Sequence, residues 1–244
     1  MRPLKFIENT LKGIGVIFLY SFLPNYVLSN EISITNLGHS SLLFQGENKT
    51  VLINPFKAVG CASHLKEPNI KADLILASSV LLDEGFNKSD QPMFVYPGSY
   101  VFKKFTFEGI PVAHDRIQGR RFGMATVWTW NQAGFKVVHM GGAAGSISQY
   151  DRILLANPDI LIISVGGGAK SYNGLEASDI VKKLNPKVIV PVQYSSKKNI
   201  NTECDLEPID QFLNTLDEVK ISEVNKKLLL KKKSMNEKTI FVFR

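Results

Sequence analysis

The spacing of apolar positions divides the chain in two. From Glu31 to about Trp130, apolar residues come in short runs or alternate with polar ones, with Gly, Pro or Asn between the runs. Such spacing predicts strands joined by tight turns. Ile32-Ser-Ile-Thr alternates as a half-buried strand, and Gly38 ends it. Ser41–Phe44 and Thr50–Ile53 flank Gly46-Glu-Asn-Lys as the arms of a hairpin. Asp73–Ala77 is almost wholly apolar, as expected of a strand covered on both faces. Met93–Tyr96, Tyr100–Phe107 and Ile110–Ala113 continue the series. In Met124–Trp130 the alternation sets Trp128 and Trp130 on one face and Val127 and Thr129 on the other.

Beyond Gly134 the period changes. Phe135–His139, Asp159–Val165 and Lys187–Val192 read as strands, with helices between or after them. Ser146 or Ser148 caps a helix through Leu155, which Asn157-Pro158 ends. Leu175–Leu184 is amphipathic and stops at Asn185-Pro186. Ile209–Leu216 is a further helix, and strands around Leu228 and Ile240 close the chain. Strands first, then strands alternating with helices, predict two packed sheets with helices outside and loops gathered at the strand ends.

The 244 residues suffice for one large domain after a leader. Arg2, Lys5 and Lys12 precede the apolar run Gly13–Leu23, Pro24 breaks any helix, and Ser29 offers a small residue before Asn30. The apolar run suits a signal peptide and is short for a membrane span. The boundaries are therefore 1–29 for a signal peptide or N-terminal anchor and 30–244 for the domain. An exported or membrane-associated protein follows, with association through residues 13–23; a cytoplasmic protein with a packed N-terminal helix is the alternative.

A net charge of +7 fits a lysine-rich solvated surface, or attraction to phosphates and lipid headgroups. The densest cluster, Lys226 to Lys233, has no interleaved aromatics and reads as a strand flanked by lysines, so no nucleic-acid partner is expected. Cys61 and Cys204 make neither a disulfide framework nor a zinc site by themselves. Each is a small buried residue, or the two form a single bridge in an exported domain.

Seven motifs in order carry a family resemblance: Ile34–Ser41, Val51–Phe56, Ala72–Leu76, Val112–Asp115, His139–Gly142, Asp159–Gly168 and Asn185–Tyr194. With them the chain resembles the metallo-β-lactamase fold superfamily, in the branch of metal-dependent hydrolases similar to ascorbate-6-phosphate lactonase. The resemblance implies an α+β fold, an αββα four-layer sandwich. It also implies a pair of zinc ions between the sheets that activate a hydroxide. The ligand positions are largely altered. Ser79 and Leu81 stand where two histidines would be, Glu84 replaces a third, Gly142 stands where an aspartate bridges the metals, and Gln193 takes the place of the last histidine. Asn54 replaces a supporting aspartate. Ser and Leu cannot replace imidazole on zinc.

Asp83, Glu84 and His114 remain as a residual metal set, with Asp83 as the candidate acid or base. Asp83 also suits the cap of a following helix. No cofactor is expected; the alternative is a single zinc. Ser79 as a nucleophile would need a positioned base and an oxyanion site. His39, His64 and His139 read as core or loop residues. Arg116, Arg120, Arg121 and Lys170 are candidates for an anion-binding mouth, since arginine forks match carboxylates and phosphates. Two functions stand. One is a non-catalytic or strongly altered hydrolase relative binding a small anionic molecule or a protein. The other is an active hydrolase of anionic lactones or esters with a remodelled mononuclear site.

Overall fold

A computed structural model describes residues 30–195, 204–217 and 219–244. The proposed leader lies outside the described residues. The strands are β1 (Glu31–Gly38), β2 (Ser41–Gly46), β3 (Lys49–Ile53), β4 (Leu74–Leu76), β5 (Met93–Phe94), β6 (Gly98–Phe102), β7 (Phe105–Ala113), β8 (Met124–Gln132), β9 (Phe135–His139), β10 (Ile160–Ser164), β11 (Val188–Val192), β12 (Lys220–Val224), β13 (Lys227–Lys231) and β14 (Thr239–Phe243). The helices are α1 (Gln149–Leu155), α2 (Gly174–Leu184) and α3 (Asp210–Leu213).

Two sheets form, in the orders β13-β1-β2-β3-β4-β5 and β12-β14-β11-β10-β9-β8-β7-β6. The apolar faces predicted by alternation meet between them. Ile34, Phe44 and Ile53 of the first sheet pack against Trp128, Trp130 and Val190 of the second. Transfer of such side chains from water contributes roughly 1.5–3 kcal/mol each before chain entropy is counted. The hairpin turn between β2 and β3 places Glu47 and Asn48 at φ 54° and 55°, the left-handed pair of a tight turn whose twist matches that of its strands.

The outer face of the second sheet is covered by the helices through Leu155, Val181, Leu184 and Phe212. Ser148 caps α1 by accepting from Asp151 N. Asn173 and Glu176 form a reciprocal capping box on α2, which Asn185 ends in the left-handed conformation. The helix expected over Ile209–Leu216 is shorter. Only Asp210–Leu213 is helical, with Asn214 N donating to the Asp210 carbonyl at its end, and Leu216 joins the core of Phe212 from beyond it. On the outer face of the first sheet, the layer consists of the segment after β3, with one 3-10 turn at Gly60–Ala62, packed over Leu52 and Ile75.

Cys61 and Cys204 form a disulfide with Cα atoms 4.8 Å apart. Of the readings left open by the sequence, the single bridge is the one observed. It ties the Gly60–Ala62 turn to the segment that follows β11.

Candidate functional site

β3, β4, β7, β9, β10 and β11 all run toward the same end of the sandwich, and their exits line one cleft. At its floor, Asn54 follows β3 in the left-handed conformation at φ 47°. Its side chain accepts from Ser78 N at 2.8 Å and donates to Ser40 Oγ at 3.1 Å. That pins the start of the β4 loop. Residues 80–85 then form turns, so Asp83 caps no helix and the expectation that it might is corrected.

The loop folds Glu84 back under itself until its carboxylate is buried. Ser78 Oγ donates to Glu84 Oε2 at 2.6 Å, Ser79 Oγ donates to Oε1 at 3.0 Å, and His114 Nε2 donates to Oε1. His114 Nδ1 donates to the Lys170 carbonyl at 2.9 Å. Both ring nitrogens face acceptors, so both carry protons and His114 is an imidazolium paired with a carboxylate. Burial opposes both charges. Even so, His114 with its hydrogen bond holds the Glu84 carboxyl down at about 2, and Glu84 raises His114.

This pair fills the space in front of Gly142. A Cβ added there would overlap His114 Cε1 and stand 2.7 Å from Glu84 Oε2. The altered residues at positions 84 and 142 are thus one packing solution: the carboxylate occupies the volume that a side chain at 142 would need.

Asp83 turns elsewhere. Its carboxylate pairs with Lys170 and lies 3.9 Å from His39 Nε2. Gln193, in the left-handed conformation at φ 54°, donates through Nε2 to His39 Nε2 at 3.2 Å, and its Oε1 lies 2.7 Å from the Ser164 hydroxyl. Burial lowers His39, with Asp83 working against it. Asp83, Lys170, Gln193, His39 and Asp205 line a cavity of 140 Å³ beside the disulfide. The residual metal set is therefore divided: the structure brings Glu84 and His114 together and turns Asp83 to Lys170. Among the described residues no group of three or more His, Cys, Asp or Glu side chains is arranged to hold a metal ion. Leu81 is partly exposed on the loop, and Ser79 donates to a Glu84 carboxylate that is already paired with His114.

The arginines part company in the same way. Arg116 grips Glu176 with Nε and Nη2 at 2.7 Å each and donates to the Gly168 and Ser171 carbonyls at 2.8 and 2.9 Å. Its fork is committed to holding α2 against the cleft rim. Arg120 and Arg121 are exposed at that rim. Asp115 shapes the loop that carries them, accepting from the amides of Ile117, Gly119, Arg121 and Phe122 at 2.7–3.0 Å. Burial opposes its charge, but the four amides hold its carboxyl at about 2. Sequence inspection named neither Ser78 nor the organising role of Asp115. The adjacent serines and the spacing of Asp115 from Gly119 are their only traces.

His139, at the end of β9, is fully buried. Its Nδ1 accepts from Gly141 N at 3.0 Å and its Nε2 donates to the Ser40 carbonyl at 3.2 Å. Burial pushes it down to about 4 from 6.5, against the Ser40 hydrogen bond. Between those values the unfolded chain binds a proton that the folded one does not, so stability falls as the pH falls through that window. In His139→Asn, that loss, with a slope of up to ~1.4 kcal/mol per pH unit, is expected to disappear from denaturant midpoints measured between pH 6.5 and 4.

The pattern describing the Beta-lactamase superfamily domain matches residues 33–193. The chain belongs to that superfamily. A structure described as a Zn-dependent hydrolase of the metallo-beta-lactamase superfamily, from Thermotoga maritima, is 25% identical; the match covers 87% of this chain and 98% of that one, with a TM-score of 0.69. A metal-dependent hydrolase structure from Parabacteroides distasonis is 17% identical over 77% of this chain and 89% of that one, with a TM-score of 0.58. The metallo hydrolase Igni18 from Ignicoccus hospitalis is 15% identical over 82% and 98%, with a TM-score of 0.53. These last two share the fold. No curated protein matches the chain. The chain is thus a metallo-β-lactamase-fold, hydrolase-like protein with two large sheets and few helices.

Proposed function

We propose that this member of the superfamily has exchanged the metal-dependent centre for an internal ion pair and uses the remaining cleft to bind a small anionic molecule or a protein. Its motifs resemble those of the ascorbate-6-phosphate lactonase branch. The observation that carries the proposal is the Glu84–His114 pair in front of Gly142. Zinc bound by histidine needs a free ring-nitrogen lone pair. Both nitrogens of His114 are donors to protein oxygens, and the Glu84 carboxylate already accepts from three side chains. A metal entering here would have to break a buried charge pair and find its remaining ligands among Ser79, Leu81, Gly142 and Gln193, of which only Gln193 offers a neutral amide oxygen, already bonded to the Ser164 hydroxyl. The residues therefore do not fit two zinc ions. Of the basic residues at the rim, Arg120 and Arg121 face solvent, while Lys170 shares its charge with Asp83. The anion-binding role falls on the two arginines first.

Metal content after incubation with excess zinc and dialysis, with turnover of lactones and esters of phosphorylated or carboxylated substrates across pH, tests the proposal. The expected result is metal well below one equivalent in both the wild type and His114→Ala, and no turnover. One tightly held zinc per chain that His114→Ala loses would instead establish the active mononuclear hydrolase. Inorganic phosphate serves as the anion probe, and Arg120→Ala/Arg121→Ala should weaken it at least fivefold.

A further inference from the structure

The sandwich has a second end, opposite the cleft. The pairs Glu31 with Lys231, Gly46 with Lys49, Phe102 with Phe105 and Gln132 with Phe135 close their hairpins and ladders there. Gln132 Nε2 donates to the Gly46 and Lys49 carbonyls, which ties the two sheets together at this end. The last turn of α2 arrives beside them, since Asn157 N donates to the Leu184 carbonyl.

Charge is distributed unevenly on this surface. Its carboxylates are largely engaged: Glu31 by Lys231 at 2.8 Å, Glu237 by Lys220 at 3.3 Å, and Asp159 by Lys187 at 3.0 Å and by Lys232. Asp73 accepts from Thr50 N and Oγ1. Lys104, Lys182, Lys183 and Lys233 are exposed, and among the described residues no carboxylate lies within ion-pair distance of them. Asp90, before β5, and Asp217, before β12, are exposed counter-charges that no described lysine engages, and exposed Asp179 stands one turn before Lys183 on α2. The surface carries a net positive charge even so.

The described chain also begins at this end. The Asn30 carbonyl accepts from Lys232 N at 2.9 Å, and the sequence before Asn30 contains the apolar run Gly13–Leu23 behind Arg2, Lys5 and Lys12. Asn30, which follows the apolar sequence, thus lies at the same pole as the surplus of lysines, while the cleft opens at the other.

We propose that this lysine-rich pole docks on an anionic lipid bilayer, so that the cleft faces away from it. Lysines near such a surface attract its headgroups through the screened field, which reaches ~10 Å at 0.1 M salt. The apolar sequence that precedes Asn30 favours a bilayer over a nucleic acid as the occupant. The proposal does not depend on what the cleft binds.

Sedimentation of the full chain with phosphatidylcholine vesicles, with and without about one-third phosphatidylglycerol, tests it. Two variants of equal charge change are compared. Lys104→Glu/Lys183→Glu/Lys233→Glu alters the pole, and Lys57→Glu/Lys66→Glu/Lys226→Glu alters exposed lysines on the rest of the domain, away from the pole. Each lysine near the surface is worth about fivefold in partitioning. The pole variant should therefore lose roughly 100-fold or more of its preference for anionic over neutral vesicles, and the second variant only a few-fold. Raising the salt from about 0.1 to 0.5 M should erase most of the wild-type preference. Equal losses in both variants would leave only net charge and overturn the proposal. So would displacement of the wild type from anionic vesicles by duplex DNA at equal phosphate concentration, which would make nucleic acid the better occupant.

Discussion

Glu84→Ala is expected to destabilise the folded domain by about 3–5 kcal/mol, because it leaves the His114 imidazolium buried without its counter-charge. His114→Ala should cost about as much for the converse reason. The double variant should cost little more than either single one, since it removes both buried charges together. Denaturant unfolding of the three variants, read as a double-mutant cycle, measures the coupling. Additive losses would mean that the two side chains act independently and that the packing at Gly142 has another origin. The pH dependence has a definite sign. Glu84, lowered from 4.5 to about 2, contributes stability above pH 4.5 that is lost as the pH falls toward 2. His114, raised above 6.5, contributes stability below 6.5 that is lost as the pH rises through its elevated value. The pair's support is therefore fullest between pH 4.5 and 6.5, and Glu84→Ala should flatten both limbs.

Reduction of Cys61–Cys204 is the second large effect. The bridge joins residues separated by 143 positions. In the chain-entropy account, a loop of that length raises the free energy of the unfolded state by about 5 kcal/mol, and native bridges typically contribute 2–5. Cys61→Ser/Cys204→Ser should lower the unfolding midpoint accordingly. Local opening should concentrate at the cleft, because the segment after Cys204 is otherwise held by single contacts. Asp205 Oδ2 accepts from Ala169 N at 3.0 Å, Glu207 N donates to the Gly166 carbonyl, and Ser195 N donates to the Glu207 carbonyl. Hydrogen exchange in 166–172 and 204–208 should speed up in the variant while the inter-sheet core stays protected. Unchanged exchange there would mean that the bridge acts only on the unfolded chain.

Much of this fold is written locally. Period-two alternation around Trp128 and Trp130, and the continuous apolar runs of β4, β10 and β11, follow from which faces are covered, so the strands can be read from spacing alone. The caps at Ser148 and Asn173 are equally local. The site was legible only as a set of replaced positions. That Glu84 answers Gly142 through His114 depends on three segments brought together by the sheets, and no spacing encodes it. The bridge between Cys61 and Cys204 was open in the sequence for the same reason. Arg116 shows the limit of reading charge from sequence: beside exposed Arg120 and Arg121 it looks like one of a set, yet Glu176, on a helix about sixty positions later, takes its fork. The helix expected at Ile209–Leu216 is present but short, because apolar spacing marks which residues reach the core and not where the helix stops: Leu216 reaches it from beyond the helix end.

Asp115 has a consequence for how this protein can diversify. One carboxylate gathers four amides of the loop from Ile117 to Phe122 and fixes its path from within. Of the outward side chains, Ile117 and Arg120 take no part in that scaffold, and Arg121 adds only a contact of its guanidinium with the Phe122 ring. They can be exchanged for others without the loop having to find a new shape, so the rim can acquire new specificities by drift while Asp115 stays in place.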